Sequence, residues 1–239
     1  MGRYTRLLAP LFAEFAGVSG GERVLDVGCG PGALTAELVR RLGADAVEAV
    51  DPSESFVAVV PERNPGVRVQ LAAAEELPFA DGGFDAALAQ LVVHFMADPV
   101  AGLREMGRVV RPAGVVAACV WDHAGGRSPI SVFWQAARAD DPEIDDESGY
   151  SGAREGHLAE LFFDAGLREV ETDVLTVSLE QPSFEEWWEP FTLGVGPAGR
   201  HAAGLDAEQL EGLRERCREL LPPAPFVVEA SVWAARARV

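Results

Sequence analysis

Arg23-Val-Leu-Asp26-Val-Gly28-Cys-Gly30-Pro-Gly32-Ala-Leu34-Thr decides how this chain is read. Val24, Leu25 and Val27 form a short apolar run that stops at three glycines set one residue apart. Leu34, Leu38 and Leu42 then share one helical face, so the stretch predicts strand, tight turn and helix. Gly28, Gly30 and Gly32 permit backbone angles closed to other residues and let a ligand lie against main-chain N–H groups at the helix start.

Glycine spacing alone leaves two cofactor classes open. Gly28, Gly30 and Ala33 satisfy the G-x-G-x-x-A form of dinucleotide binders. Asp26, two residues before the first glycine, adds a strand-end carboxylate able to accept a bond from a cationic amino group, which S-adenosylmethionine carries and NAD lacks. Asp26-Val-Gly28-Cys29-Gly30-Pro-Gly32 resembles the first motif of class I S-adenosylmethionine-dependent methyltransferases.

Outward from the loop, Ala46 to Val50 reads as a second strand ending at Asp51, about twenty residues on, where a carboxylate suits the hydroxyls of a ribose. Asp51-Pro52-Ser53-Glu54 also has the form of a helix start with Asp51 as N-cap. Val67 to Leu71 and Phe84 to Ala89 are the third and fourth strands. The intervening Ala72-Ala73-Ala74-Glu75-Glu-Leu-Pro-Phe79 is similar to a block of the ubiquinone- and menaquinone-biosynthesis branch, methyltransferase type 11. Where that branch usually places an Asp for the adenine amino group, this chain has Ala73, which leaves Glu75 or the Ala74 backbone for adenine.

Gln90-Leu91-Val-Val-His94-Phe-Met96 resembles the segment after the family's fourth strand. Ligands in open α/β sheets bind beyond the carboxyl ends of strands, so Gln90 is expected at the methionyl end of the cofactor and His94 in the cleft. Asp98-Pro99 starts a helix, Arg111-Pro-Ala-Gly114 ends it, and Val115 to Trp121 is the fifth strand. Leu103-Arg-Glu-Met-Gly-Arg-Val-Val-Arg-Pro-Ala-Gly114 is close to a further block of the same branch, so the resemblance runs from about residue 20 to 121. It implies one α/β domain over 1–239, with a Rossmann-like, mostly parallel sheet of order 3-2-1-4-5-7-6 whose last strand is antiparallel. The cofactor core is expected at about 20–121 and substrate-side elaborations at about 122–154 and 183–221.

Residues 4–16 carry an amphipathic helical pattern. In the second half, 155–165 reads as a helix, and the strands 170–179 and 226–237 are expected to pair antiparallel. Phe133, Trp134, Trp187 and Trp188 are candidate walls of an acceptor pocket, the two tryptophans equally a staple for the insert. His94, His123 and Asp122 are the candidate bases; His157 and His201 read as solvated, as does the acidic run Asp140 to Glu147.

Composition narrows the function classes. The formal charge is −18, from 38 acids against 20 bases, and all the bases are arginines, which excludes lysine chemistry and disfavours nucleic acid as substrate. Three dispersed cysteines imply neither disulfides nor a zinc site, and no metal is indicated. No stretch approaches a membrane span, so a cytoplasmic monomer or homodimer acting on a small molecule is expected. The resemblance implies S-adenosylmethionine as cofactor and S-adenosylhomocysteine as product. The alternatives are an NAD-dependent oxidoreductase, which requires a sixth parallel strand in place of the terminal hairpin, and a cofactor-binding module without catalysis.

Overall fold

Residues 2–239 are described by a computed structural model. The chain opens with α1 (Gly2–Phe15), followed by β1 (Val24–Val27), α2 (Ala33–Leu42), β2 (Val47–Asp51), α3 (Glu54–Arg63) and β3 (Arg68–Leu71). Next come β4 (Phe84–Gln90), α4 (Pro99–Val109), β5 (Val110–Trp121), α5 (Ser131–Ala137), α6 (His157–Asp164) and β6 (Arg168–Gln181). The last elements are α7 (Phe184–Trp188), α8 (Gly196–Gly204), α9 (Ala207–Leu220) and β7 (Phe226–Arg238).

All four residues of β1 are buried, as a strand covered on both faces must be. It sits inside a seven-stranded sheet of order β3-β2-β1-β4-β5-β7-β6. β1 through β5 pair in parallel, and β7 runs antiparallel to both β5 and β6. The expected order and terminal hairpin are therefore present. The dinucleotide alternative lacks the sixth parallel strand it requires.

Side chains alternate between two cores. Val24, Leu88 and Trp121 join Leu8, Phe12, Leu34 and Leu38 under α1 and α2, whereas Leu25, Val27 and Val120 join Leu103, Met106 and Phe162 under α4 and α6. A third apolar cluster stands apart from both, formed by α5, α7, α8 and α9 around Phe133, Trp187, Trp188 and Leu213.

Side-chain caps open three of the helices. Asp98 caps α4 by accepting from Ala101 N–H at 2.9 Å, Asp206 closes a capping box on α9, and Ser183 accepts from Glu186 N–H at 3.2 Å on α7. Two boundaries differ from expectation. α4 ends at Val109 and the chain enters β5 at once, so Arg111 to Gly114 belong to an irregular strand start rather than a separate turn. α3 begins at Glu54 with Ser53 in the N-cap position, so Asp51 does not cap it.

Candidate functional site

The three glycines after β1 are needed for three different reasons. A Cβ on Gly28 would stand 2.5 Å from a Val92 methyl, and one on Gly32 would stand 2.6 Å from Asn64 Nδ2. Gly30, at φ +53°, would meet nothing within 4 Å. Only Gly30 therefore borders open space; its neighbours are glycine because other chain segments press against them.

The N–H groups of the loop are not free. Gly28 and Cys29 both donate to Val50 C=O at 2.8 and 3.0 Å, Gly32 donates to Cys29 C=O at 3.0 Å, and Gly30 donates to Asp51 Oδ2 at 2.8 Å. The loop's donors hold its own shape, and what it presents at Gly30 is a missing side chain. Asp51 accepts a second bond from Ser53 N–H at 2.9 Å, so its carboxylate ties the loop after β1 to the end of β2.

Asp26 is 1% exposed, and its Oδ2 accepts from Thr35 Oγ1 on α2 at 2.6 Å. Burial pushes its carboxyl up to about 7; the Thr35 bond pulls it down and the neighbouring Asp51 pushes it further up. A cation docked there would return it to the ionised state. Burial likewise raises the Cys29 thiol, which leaves it an inert packing group.

At the end of β4, Gln90 Nε2 donates to Thr5 C=O at 3.1 Å, which brings α1 over the cleft, while the buried Oε1 has no partner. Leu91 follows at φ +64°, a backbone state unusual for leucine and common at functional sites. On the β3 side, Ala73 is exposed, Ala74 is buried, and Glu75 accepts from Asp98 N–H at 3.1 Å. Pro52 is exposed and Ser53 half-buried.

On the other side of the cleft, His94 lies in a short 3-10 turn after β4, and its ring centre is 6.0 Å from that of His123, just beyond β5. Tyr150 stacks on His94 at 6.3 Å. Both imidazoles keep a buried Nδ1 without a partner. Burial lowers His94 to about 3, with His123 adding to it, and lowers His123 to about 4 against the upward pull of Asp146 and Asp122. Both rings are neutral at pH 7, as weak bases.

Asp122, the third base candidate, is already spoken for. It accepts from Gly125 N–H at 2.8 Å, Trp233 Nε1 at 3.1 Å and Arg127 Nε at 2.5 Å, which makes it a brace for the turn after β5. The aromatic candidates also separate. All four pack in the helical elaboration, with Phe133 stacked 4.6 Å from Phe191, and Trp134 alone of them also lines a cavity of about 200 Å³ with His123.

The acidic run departs from its expected solvated state at its end, where Asp146 and Glu147 are buried. Asp146 pairs with Arg138, the residue just after α5, and burial raises Glu147 to about 6, with the Trp134 indole pulling it down. No local pattern separates these two from Asp140 or Asp145; their partners come from α5 and the residue that follows it. His157 and His201 are half-buried rather than solvated: His157 Nδ1 accepts from Gly152 N–H at 3.2 Å, and His201 packs on Trp134 at 5.6 Å.

The two neutral histidines make a measurable pH signature. Each is held below its unfolded value of about 6.5, so below that pH the native state binds fewer protons and stability is lost as pH falls toward 4. Asp26 and Glu147, raised, act in the opposite sense, so the histidine part is read as a difference. The stability gap between wild type and a His94→Gln/His123→Gln variant should shrink by about 2–4 kcal/mol from pH 7.5 to 5. Denaturant unfolding at the two pH values measures this, and a constant gap would show that the rings titrate normally.

Among the described residues, no helix is long and apolar enough to cross a membrane, and no three of His, Cys, Asp and Glu are grouped to hold a metal ion.

Residues 25–118 match the sequence model of the family described as methyltransferase domain, Methyltransf_11. A demethylmenaquinone methyltransferase from Beutenbergia cavernae is 42% identical over 98 residues, which is 41% of this chain and 40% of that protein. The curated relatives first matched are spanned over only 40 to 49% of their own lengths. Among solved structures, geranyl diphosphate C-methyltransferase from Streptomyces coelicolor, in complex with Mg²⁺, geranyl diphosphate and S-adenosylhomocysteine, superposes with a TM-score of 0.57 at 18% identity, over 100% of this chain and 80% of that one. The [4+2]-cyclase SpnF superposes with a TM-score of 0.59 at 19% identity, over 98% and 81%. Such identities establish a shared fold and no shared reaction. With the strand order, the antiparallel β7 and the glycine loop on the page, residues 25–118 are a methyltransferase domain of this family, in the fold of the class I S-adenosylmethionine-dependent methyltransferases.

Proposed function

We propose that the chain transfers a methyl group from S-adenosylmethionine to a small-molecule acceptor through an oxygen, nitrogen or carbon nucleophile, by in-line displacement. One grouping carries this reading: the open side of Gly30 with Asp26, Asp51 and the unpartnered Gln90 Oε1 around it, at the carboxyl ends of β1, β2 and β4. These residues fit the cofactor's chemistry. Gln90 Oε1 and Asp26 are acceptors for a cationic amino group, Asp51 keeps lone pairs for ribose hydroxyls, and the Ala74 backbone with Glu75 borders the adenine position.

When bound, the cofactor supplies a methyl group already activated by the positive charge on sulfur. The protein's part is then orientation and water exclusion. His94 and His123, neutral and weakly basic, suit holding an acceptor better than stripping a proton from it, and Asp122 braces the turn that carries His123. The buried thiols Cys29, Cys119 and Cys217 accord with a reducing cytoplasm, where we place the reaction.

A cofactor-binding module without methyl transfer is the second reading, favoured by the exposed Ala73 where the family usually carries a carboxylate. Calorimetry with S-adenosylmethionine, S-adenosylhomocysteine and NAD tests the cofactor, and release of S-adenosylhomocysteine with phenol, quinone and amine acceptors separates enzyme from module. Asp51→Ala removes both the ribose partner and the bond to Gly30 N–H, so S-adenosylhomocysteine affinity should fall by about 1–3 kcal/mol. Unchanged affinity would show that Asp51 serves the loop alone.

A further inference from the structure

The amino-acid end of S-adenosylmethionine carries a carboxylate beside the ammonium that Asp26 and Gln90 suit. At the ends of β1 and β2 the protein's own charges, Asp26 and Asp51, have the same sign as that carboxylate. The nearby donors are engaged: Gly28 and Cys29 N–H on Val50 C=O, Gly32 N–H on Cys29 C=O, Gly30 N–H on Asp51 and the Thr35 hydroxyl on Asp26. Pro31 has no N–H. A carboxylate set down here without a cation would be repelled by Asp51 and, once ionised, by Asp26.

The arginines narrow the choice of cation. Among the described residues, every arginine but Arg6, Arg104 and Arg200 donates to an oxygen of the chain. Arg104 lies on α4, on the other face of the sheet, and Arg200 on α8 of the helical elaboration. Arg6 lies on α1.

The start of α1 stands at the cleft. Thr5 C=O accepts from Gln90 Nε2 at 3.1 Å, which leaves Gln90 Oε1 buried without a protein partner. Leu8 and Phe12 share a core with Leu34 and Leu38 of α2, and Arg41 in the last turn of α2 donates to Pro10 C=O at 2.8 Å. The two helices therefore run side by side, with the first turn of α1 next to the glycine loop. Arg6 follows Thr5 and is exposed; because helical side chains lean toward the helix N-terminus, it extends over the turn nearest the cleft. Arg3 is engaged elsewhere, donating to Gln181 Oε1 at 3.1 Å and pairing with Glu186 at 3.6 Å.

We propose that Arg6 binds the carboxylate at the amino-acid end of the cofactor, so that α1 supplies both this cation and the carbonyl that orients Gln90 for the ammonium. The assignment rests on the cofactor reading above and extends it to a helix outside residues 25–118.

Calorimetry on the full chain compares S-adenosylhomocysteine with its decarboxylated form, which keeps the ammonium and lacks the carboxylate, the weaker ligand being read by competition. Arg6→Gln should weaken S-adenosylhomocysteine roughly tenfold or more, the size of a lost charge-assisted hydrogen bond, and leave the decarboxylated ligand within about twofold. Arg6→Lys keeps the charge and should recover most of the loss. Arg6→Glu should weaken S-adenosylhomocysteine further and tighten the decarboxylated ligand, whose ammonium then meets a carboxylate. Arg104→Gln makes the same change in net charge at an exposed site and should move neither ligand. The proposal is overturned if Arg6→Gln binds S-adenosylhomocysteine as wild type does, if it weakens both ligands equally, or if Arg104→Gln matches it. Any of these with wild type binding S-adenosylhomocysteine removes the Arg6 assignment alone, whereas wild type that binds neither ligand removes the cofactor reading and the assignment with it.

Discussion

Gly30→Val should abolish S-adenosylhomocysteine binding, with a loss of roughly a hundredfold or more, while the protein stays folded. A Cβ at this position meets nothing within 4 Å, so the side chain starts out into the space assigned to the ligand. The φ of +53° adds a strain of about 1–3 kcal/mol, which a thermal unfolding curve registers separately. Gly28→Ala is the contrasting variant. Its Cβ would sit 2.5 Å from Val92, so stability falls first. Calorimetry on both variants decides the matter: Gly30→Val binding as wild type would move the cofactor elsewhere.

Asp26→Asn is expected to stabilise the protein and disable it. The Asp26 carboxyl stands at about 7 in the native state against 3.8 unfolded, so the native state holds more protons between these values. Stability therefore falls as pH rises from about 4 through 7, by roughly 4 kcal/mol at full ionisation. An amide avoids that cost but brings donors that need partners, at about 1–3 kcal/mol. The net expectation is a gain of about 1–3 kcal/mol at pH 8 and a loss of about 1–3 kcal/mol at pH 4, so the sign of the effect reverses with pH, read by chemical denaturation. Losing the carboxylate should also weaken S-adenosylhomocysteine by roughly thirtyfold or more, because a buried charge partner for its amino group is gone. An Asn variant with full affinity would restrict Asp26 to its bond with Thr35.

Asp26 illustrates a tension that the site tolerates. A carboxylate buried beside Asp51 is a poor choice for stability and a good one for receiving a cation. The depressed His94 and His123 belong to the same pattern, since their enclosed nitrogens have no protein partner to offset burial. Unsatisfied groups on both sides of the cleft are the physical mark of a place prepared for ligands.

Legibility in the sequence differed by residue. The β1 loop, the strand order and the terminal hairpin were readable because alternation, glycine spacing and caps act over a few residues, and several blocks stood in the order of one family. The role of each glycine was not. Gly28 and Gly32 look like ligand contacts until Val92 and Asn64 arrive from other elements. Asp122 had the position of a base, yet Trp233, 111 residues away, and Arg127 turn it into a brace. The double tryptophan resolves as packing among α5, α7 and α9, and Glu147 carried no signal that set it apart from its acidic neighbours.

By itself the amino-acid order determined which segments are strands and helices, where the glycine loop bends, and which family of folds results, because those preferences are set by neighbours within a turn or a pleat. Tertiary structure alone decided which carboxylates are free, which loop donors are spent, and where a polar cavity opens beside His123. Burial and hydrogen-bond pairing depend on groups that meet only after β5, β7 and the helical elaboration have come together.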